Sequence, residues 1–194
     1  MARFRETVRT LLRERLLDAA YEATAADGFD KLRMAHLATA VGVSRQTVYA
    51  EFGSKDALGE ALFQRESERC LVGIQESLDA HRDDLRTAVG AAVHFCLRLA
   101  ARNPLVRAML SRTDAALLPV LTTRPDAVFG TATAALDAYV AEAWPEVDER
   151  SRELAVDAAV RLTASHIVQA AATPEQSAEW IAESVARIAL APSR

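Results

Sequence analysis

Residues 34–55, MAHLATAVGVSRQTVYAEFGSK, constrain the fold more than any other part of the chain. Apolar residues recur at helical spacing as far as Val41, and Gly42 then interrupts them. The hydroxyl of Ser44 can cap the free backbone N–H groups of a second helix, which we expect to run toward Glu51. Two short helices joined by a tight glycine turn have the spacing of a helix–turn–helix.

Outside this stretch, glycine and proline are sparse and the apolar residues keep helical spacing. The composition is 51% apolar but only 6% aromatic, and the abundant alanine favours closely packed helices over a β-sandwich. The sequence therefore predicts an all-α protein of about nine helices. Besides the two above, we expect a helix that ends near Gly28 and others at about 55–80, 83–102, 104–112, 125–144, 148–172 and 174–190.

The formal net charge of −4 does not indicate a strongly basic nucleic-acid-binding protein. The distribution of the charge is more informative than the total. Up to Lys55 the chain has nine basic and seven acidic residues, whereas the remainder has fourteen and twenty. A slightly basic N-terminal part fits a DNA-facing domain, although a difference this small is weak evidence by itself.

Neither a metal site nor a secreted or membrane protein is indicated. Cys70 and Cys96 lie far apart without histidines at metal-ligand spacing, so we expect no metal, no cofactor and no disulfide scaffold. Both are expected to be small buried residues in a reducing compartment. The N-terminus lacks the apolar run of a signal peptide, and no stretch reaches the ~18 apolar residues of a membrane span. We therefore expect a cytoplasmic protein.

The second short helix of the helix–turn–helix has side chains suited to DNA. Opposite its apolar residues Val48 and Phe52, it presents five polar side chains: Ser44, Arg45, Gln46, Thr47 and Tyr49. Arginine pairs with guanine, glutamine with adenine, and hydroxyls or a lysine such as Lys55 with phosphates. The alternative is that the helix is simply solvated, because helix–turn–helix corners also occur in proteins that never touch DNA.

The segment MAHLATAVGVSRQTVYAEFGSKDAL closely resembles the N-terminal signature of the TetR family of transcriptional regulators. The resemblance covers about the first 60 residues, and the remainder matches in length, helix number and alanine-rich ending. One departure is Arg33, where the family usually has a Thr or Ser that caps the second helix. The matching positions are Gly28, Phe29, Leu37, Ala38, Gly42, Val43, Ser44, Thr47, Tyr49, Phe52, Lys55 and Leu58.

The resemblance implies roles for Arg33 and for several residues of this segment. Tyr49 and Lys55 would bind phosphates, and Arg33 could reach another. Ser44 would cap the recognition helix and touch the DNA backbone. Base reading is implied for Arg45, Gln46 and Thr47, and a place in the domain core for Val43, Val48 and Phe52. The resemblance also implies a DNA-binding domain over residues 1–54, an effector-binding and dimerisation domain over 55–194, and a homodimer on a roughly palindromic operator.

The last two helices carry small and apolar residues on adjoining faces, which let helices approach closely. We expect these faces to form a four-helix dimer interface, and the alternative is internal packing within one chain. The residues are Leu154, Ala155, Ala158, Ala159, Leu162 and Ala164 on the first helix, and Ala178, Ile181, Ala182, Val185, Ala186 and Ala189 on the second.

The C-terminal helices are expected to enclose an effector pocket. Each candidate residue on its own is more often core than a ligand contact. Polar groups inside an apolar bundle need hydrogen-bond partners. The polar residues in this region are therefore more informative about a ligand: His94, Arg98, Thr133 and His166. This mixture suggests an apolar effector with one or two polar groups, such as a fatty-acid derivative, a lactone or a drug-like molecule. The candidate pocket residues are Phe63, Phe95, Leu99, Met109, Leu117, Phe129, Tyr139, Leu162 and His166.

The sequence therefore predicts a dimeric regulator, a repressor by the habit of the family, that an effector releases from DNA. The alternative is an architectural or activating DNA-binding regulator without an effector. An enzyme is not expected, because no nucleophile–base pair, metal cluster or phosphate loop can be read in the sequence.

Overall fold

The computed structural model describes residues 2–106 and 125–191, except for the side chains of residues 2, 3, 125–129 and 131. No strand occurs in these ranges, and residues 104–106 are also helical. The all-α prediction is confirmed. The helices are α1 (Ala2–Asp27), a 3-10 helix (Phe29–Lys31), α2 (Met34–Val41), α3 (Arg45–Phe52), α4 (Lys55–Asp79), α5 (Leu85–Arg102), α6 (Pro125–Ala143), α7 (Glu149–Val168) and α8 (Pro174–Ala189).

Several helices begin where a short polar side chain can accept a backbone N–H. The hydroxyl of Ser54 accepts from the N–H of Ala57 at 3.0 Å, as expected at the start of α4. Asp148 and Thr173 are the N-caps of α7 and α8. Most of the predicted boundaries are therefore confirmed, and much of the predicted 104–112 helix lies outside the described residues.

The chain divides into two compact units. Among the described residues, the first contains 2–68 and 103–106, and the second contains 69–102 and 125–191. Helix α4 contributes to both, so the predicted functional division at residue 55 stays a prediction. The largest fully buried side chains of the first unit are those of Leu16, Leu37, Val48, Leu58 and Leu62.

The second unit is built around the contact between α5 and α8. An ideal Cβ at Gly90 of α5 would lie 3.5 Å from the Cβ of Ala182 on α8, so the two backbones approach closely. The α8 face expected at the dimer interface is 2–7% exposed and lies in this core: Ala178, Ile181, Ala182, Val185, Ala186 and Ala189. That assignment is wrong for α8, because burial against its own chain leaves those residues no surface for a partner.

The two cysteines lie side by side on neighbouring helices. Cys70 on α4 and Cys96 on α5 are half-buried free thiols joined by a hydrogen bond. This bond lowers the pKa of the Cys70 thiol, whereas the bond together with burial raises the pKa of Cys96 well above its usual range. None of the described helices is long and apolar enough to cross a membrane.

Candidate nucleic-acid interface

The turn between α2 and α3 has the geometry that its sequence predicts. Gly42 ends α2 with φ 77° and ψ 34°, a left-handed conformation that favours glycine. The Oγ of Ser44 accepts from the N–H of Thr47 at 3.0 Å, and the two hydroxyls are 2.8 Å apart. The cap predicted for Ser44 is confirmed, and the same contact holds the half-buried Thr47 at the start of α3.

Helix α3 has one buried face and one exposed face. Val48 is fully buried and Phe52 is 8% exposed, so these two side chains fix α3 to its unit. The opposite face presents Arg45 and Gln46 to solvent, with Tyr49 38% exposed. The structure thus places three of the predicted DNA contacts on one accessible surface. Their contacts with DNA stay predictions.

Arg45 and Tyr49 are also in contact with each other. The Arg45 guanidinium lies 5.3 Å from the centre of the Tyr49 ring and donates to the phenol oxygen at 3.4 Å. Stacking of arginine on an aromatic ring restricts both side chains. Arg45 is therefore partly oriented before any nucleic acid binds.

Lys55, the first residue of α4, has a partner inside the protein. Its Nζ donates to the carbonyl oxygen of Asp30 at 2.8 Å and lies 5.0 Å from the centre of the Phe29 ring. An ammonium has three donors, so one contact leaves capacity for a phosphate oxygen. Lys55 consequently has a structural contact that sequence reasoning did not foresee.

Arg33 occupies the N-cap position of α2 without acting as a side-chain cap. Its backbone is extended, with φ −127° and ψ 129°, and no side-chain cap hydrogen bond forms there. The departure from the family pattern at Arg33 therefore leaves α2 without a side-chain cap at this position. The side chain is exposed, and its contact with a phosphate stays a prediction.

Glu51, in the last turn of α3, forms an ion-pair cluster with α1 that sequence reasoning missed. Its Oε2 accepts from the Nε of Arg9 at 2.8 Å, and its Oε1 from a terminal nitrogen of Arg13 at 3.0 Å. Burial alone would raise the pKa of Glu51, but the two arginines outweigh it and hold the pKa below its ordinary value. The available signal was the spacing of Arg5, Arg9 and Arg13, one helical turn apart.

A shallow cavity of about 500 Å³ lies beside this cluster, between the N-terminal part of α1 and the helix α3. Phe4 and Val8 on its α1 side are 72% and 47% exposed. The predicted base-reading residue Thr47 borders it as well. The lining consists of Phe4, Arg5, Val8, Arg9, Leu12, Thr47, Ala50 and Glu51.

A second charged contact joins α4 to α1. The guanidinium of Arg65 is 8% exposed and lies 2.8 Å from Asp18 and 3.5 Å from Glu14. It also lies 3.3 Å from its neighbour Glu66. A buried arginine with carboxylate partners costs stability if one partner is removed, so this contact fixes the first half of α4.

The candidate effector residues are divided between the two units of the chain. Phe63 belongs to the first unit, whereas the other described candidates belong to the second. Leu162 is 37% exposed, and the half-buried His166 has a buried Nδ1 without a hydrogen-bond partner. Met109 and Leu117 lie outside the described residues, as does the Phe129 side chain.

The positions of three further candidate effector residues, all aromatic or apolar, can be described within the second unit. The half-buried ring of Phe95 lies against α4 at Gly73. Leu99 is one turn further along α5 and also half-buried. The phenol of Tyr139 donates to the Asp79 carboxylate, and burial together with this bond raises its pKa to about 12.

The polar residues expected inside the bundle have more ordinary environments. His94 Nε2 lies 3.2 Å from a carboxylate oxygen of Glu175, and a terminal nitrogen of Arg98 lies 4.0 Å from the same atom. Their side chains are 37% and 48% exposed. His94 Nε2 is nevertheless buried without a hydrogen bond of good geometry, and Thr133 is half-buried on α6.

Two family models match the chain. The model of bacterial regulatory proteins of the tetR family matches residues 16–62. The model of the bacterial tetracyclin repressor C-terminal domain matches residues 84–187, more than half of the chain. Together they include α2, α3, α5, α6, α7 and nearly all of α8.

Individual proteins also resemble the chain. The HTH-type transcriptional regulator AlkX of Mycobacterium tuberculosis is 27% identical over 188 residues, which cover 95% of this chain and 86% of that protein. The crystal structure of the TetR-family repressor AlkX from Dietzia sp., implicated in biodegradation of n-alkanes, has a TM-score of 0.74 and 28% identity. That match covers 89% of this chain and 94% of the Dietzia chain. The nucleoid occlusion factor SlmA of Marinobacter nauticus is 34% identical over 96 residues, 47% of each chain.

Proposed function

Because this chain belongs to the TetR family of bacterial transcriptional regulators, we propose that it is a homodimeric repressor that an apolar effector releases from a palindromic operator. Members of this family regulate transcription and are not enzymes, which confirms the expectation from the sequence. For this chain we assign DNA binding to residues 1–54 and effector binding with dimerisation to 55–194. A DNA-binding regulator of this kind acts in the cytoplasm.

The observation that carries the proposal is the exposed face of α3. Arg45, Gln46 and Tyr49 lie together in solvent on a helix fixed by Val48 and Phe52. A two-turn helix held in this way can enter the major groove with its polar face toward the bases. The side chains are of the types that pair with guanine, adenine and phosphate.

Footprinting of genomic fragments with the purified protein, followed by fluorescence anisotropy on the protected sequence, tests the DNA-binding role. Gln46→Ala should relax the preference at one base pair by ~1–3 kcal/mol. Tyr49→Phe should instead weaken binding similarly on all sequences, because a lost phosphate contact carries no sequence information. An unaltered base preference in Gln46→Ala would exclude Gln46 from base reading.

An exposed apolar face on α7 supports the proposed homodimer. Leu154, Leu162 and Val168 are 49%, 37% and 63% exposed, and helical periodicity places them on one side of α7. On α8, Trp180 is 54% exposed although its neighbours Ile181 and Ala182 are buried. Large apolar side chains grouped at a surface favour an interface, and a two-fold axis would pair each face with its copy.

The proposed effector is a molecule with a long apolar part and one polar group. Support comes from the Dietzia repressor, which is implicated in n-alkane biodegradation and resembles this chain over most of its length. By analogy, a fatty-acid derivative is the class to test first. A reduction of operator affinity by about 5 to 150-fold requires ~1–3 kcal/mol of coupling between the two sites.

Titration of the protein–operator complex with fatty acids of increasing chain length tests this class. The fatty acids should release the DNA with a midpoint that falls as the chain lengthens, since each buried CH₂ contributes ~0.8 kcal/mol. A short-chain acid of equal charge is the control. Release that is independent of chain length would exclude an apolar site.

A DNA-binding role without an effector is the alternative, and the partial similarity to a nucleoid occlusion factor favours keeping it. The two roles differ in the transcripts of genes beside the operator. Deletion of a repressor gene raises them, deletion of an activator gene lowers them, and deletion of an architectural protein leaves them nearly constant.

A further inference from the structure

Glu51 is a buried acidic residue on the helix proposed to enter the major groove. Its side chain is 8% exposed, and both of its carboxylate oxygens accept from arginines of α1. A carboxylate on such a helix is unfavourable near DNA, because the phosphates form a strong negative field. A carboxylate in α3 is therefore expected to make a contribution that outweighs its repulsion by the phosphates.

The contacts of Glu51 hold the last turn of α3, where the buried side chain of Phe52 also anchors the helix. Ser44 and Thr47 hold the first turn, and the side chain of Val48 lies in the core below the middle. The last turn is joined to α1 through Glu51, and the Arg13 guanidinium also lies 4.8 Å from the centre of the Phe52 ring. An eight-residue helix held at both ends has little freedom to tilt or rotate.

We propose that Glu51 is a positioning residue for DNA recognition, which fixes the orientation of α3 through Arg9 and Arg13 without touching the nucleic acid. This inference rests on the proposed DNA-binding function. A site held within about half an ångström by supporting contacts keeps its specific interactions, whereas a looser site loses them first. The cluster thus determines how well the exposed face of α3 distinguishes the operator from other DNA.

Replacement of Glu51 gives opposite results for a positioning role and for a simple charge. Glu51→Gln removes a negative charge close to DNA and frees two arginines, so electrostatics alone predicts tighter binding to any duplex. Positioning predicts weaker binding to the operator, on the order of tenfold, with unchanged or tighter binding to a random duplex. The specificity ratio, which is the affinity for the operator divided by the affinity for a random duplex, separates the two explanations when it is measured by anisotropy at several salt concentrations.

Three further single variants and one double variant complete the experiment. Glu22→Gln, on the exposed side of α1, is the matched control for the charge and should keep the wild-type ratio. Arg13→Gln should lower the ratio, and adding Glu51→Gln to it should lower the ratio less than expected from the two single changes, because both break the same contact. Glu51→Asp, which keeps the charge with a shorter side chain, should lie between wild type and Glu51→Gln.

A second readout does not depend on DNA. Amide hydrogen exchange of residues 45–52 in the unliganded full-length protein should become faster in Glu51→Gln than in Glu22→Gln. Unchanged exchange in α3, or an operator affinity equal to or above that of the wild type, overturns the proposal. If the wild type itself does not prefer its footprinted sequence over random DNA, the proposed function fails, and the exchange measurement still decides whether Glu51 orders α3.

Discussion

At the scale of single residues, Lys55 combines a structural contact with a predicted phosphate contact. Its ammonium holds the Asp30 carbonyl at 2.8 Å and lies over the Phe29 ring. Lys55→Met should therefore destabilise the protein by about 1 kcal/mol, since it removes a charged hydrogen bond and a cation–π contact. It should also lower the slope of log affinity against log salt by about one unit.

Urea unfolding and salt-dependent anisotropy measure these two effects separately. Lys55→Arg, which keeps the charge, is the control and should retain most of the salt dependence. A Lys55→Met protein that is less stable but has the wild-type salt slope would show that Lys55 has only the structural role.

Arg33 gives a prediction in which stability and affinity change in opposite directions. The N-cap of α2 has the extended backbone that a capping residue adopts but lacks a capping side chain. Arg33→Thr should stabilise the protein by ~1 kcal/mol, because a hydroxyl can accept a free N–H of α2. It should also weaken DNA binding if Arg33 reaches a phosphate. Thermal unfolding and anisotropy check the two effects.

The control for this change is Arg33→Gln, which removes the charge but supplies a poorer cap. It should weaken DNA binding as much as Arg33→Thr without the gain in stability. Equal stabilities for the two variants would show that capping is not what limits α2.

The local features of the interface could be predicted from the sequence, but the Glu51 cluster could not. The Ser44 cap joins two residues that are three positions apart in the sequence. The burial of Val48 and Phe52 follows from the periodicity of an α-helix. Arg9 and Glu51 are separated by 42 residues. Their contact depends on how α3 packs on α1, which no short window of sequence contains.

At the scale of helices, the crossing of α4 and α5 depends on a glycine. A Cβ built on Gly73 would lie 2.2 Å from the end of the Phe95 ring, too close without a shift. Gly73→Ala gains ~0.5–1 kcal/mol of helix propensity, but overpacking costs ~1–3 kcal/mol, so we expect net destabilisation of about 1 kcal/mol. Chemical denaturation measures this change.

Gly130 provides the matched control for that substitution. It also lies within a helix, and a Cβ there would meet no atom of the described residues within 4 Å. Gly130→Ala should therefore stabilise the protein by ~0.5–1 kcal/mol. Phe95→Leu should relieve the effect of Gly73→Ala, and a Gly73→Ala protein as stable as Gly130→Ala would contradict the close approach of α4 and α5.

The same scale shows where sequence periodicity stops being informative. The apolar face of α8 was identified correctly, but its packing partner was not: Ile181 and Val185 lie in the core that α8 forms with α5. The periodicity of apolar residues shows which face of a helix is apolar, but not what packs against that face. Small residues suit contacts within a chain and between chains equally. The exposed Trp180 and Leu154 become informative only once the protomer core is known.

At the scale of the whole molecule, the charge is too small to give tight binding by one DNA-binding domain. The first 55 residues have only two more basic than acidic residues, and Arg9 and Arg13 are paired with Glu51. Few phosphate contacts give weak binding without sequence preference. In the proposed homodimer, high operator affinity would come from joining two DNA-binding domains, since the second contact becomes intramolecular.

The dimer face on α7 is therefore expected to control DNA binding from outside the interface with DNA. Leu154 is 49% exposed in the protomer, so Leu154→Glu should leave folding and thermal stability of the monomer nearly unchanged. At an interface formed by this face it would bury a carboxylate from each protomer, which strongly favours dissociation. Sedimentation equilibrium at micromolar concentration should show a monomer, and operator affinity should fall by about 10²-fold or more.

Val72→Glu, a similar change at a residue of α4 that is 54% exposed, is the control and should stay dimeric with full operator affinity. A Leu154→Glu protein that remains dimeric would exclude this face of α7 from the interface. A monomer with undiminished operator affinity would instead show that one α3 helix is sufficient for operator binding. There would then be no physical reason to expect a palindromic operator. Only the loss of both properties together links the apolar face of α7 to recognition by α3.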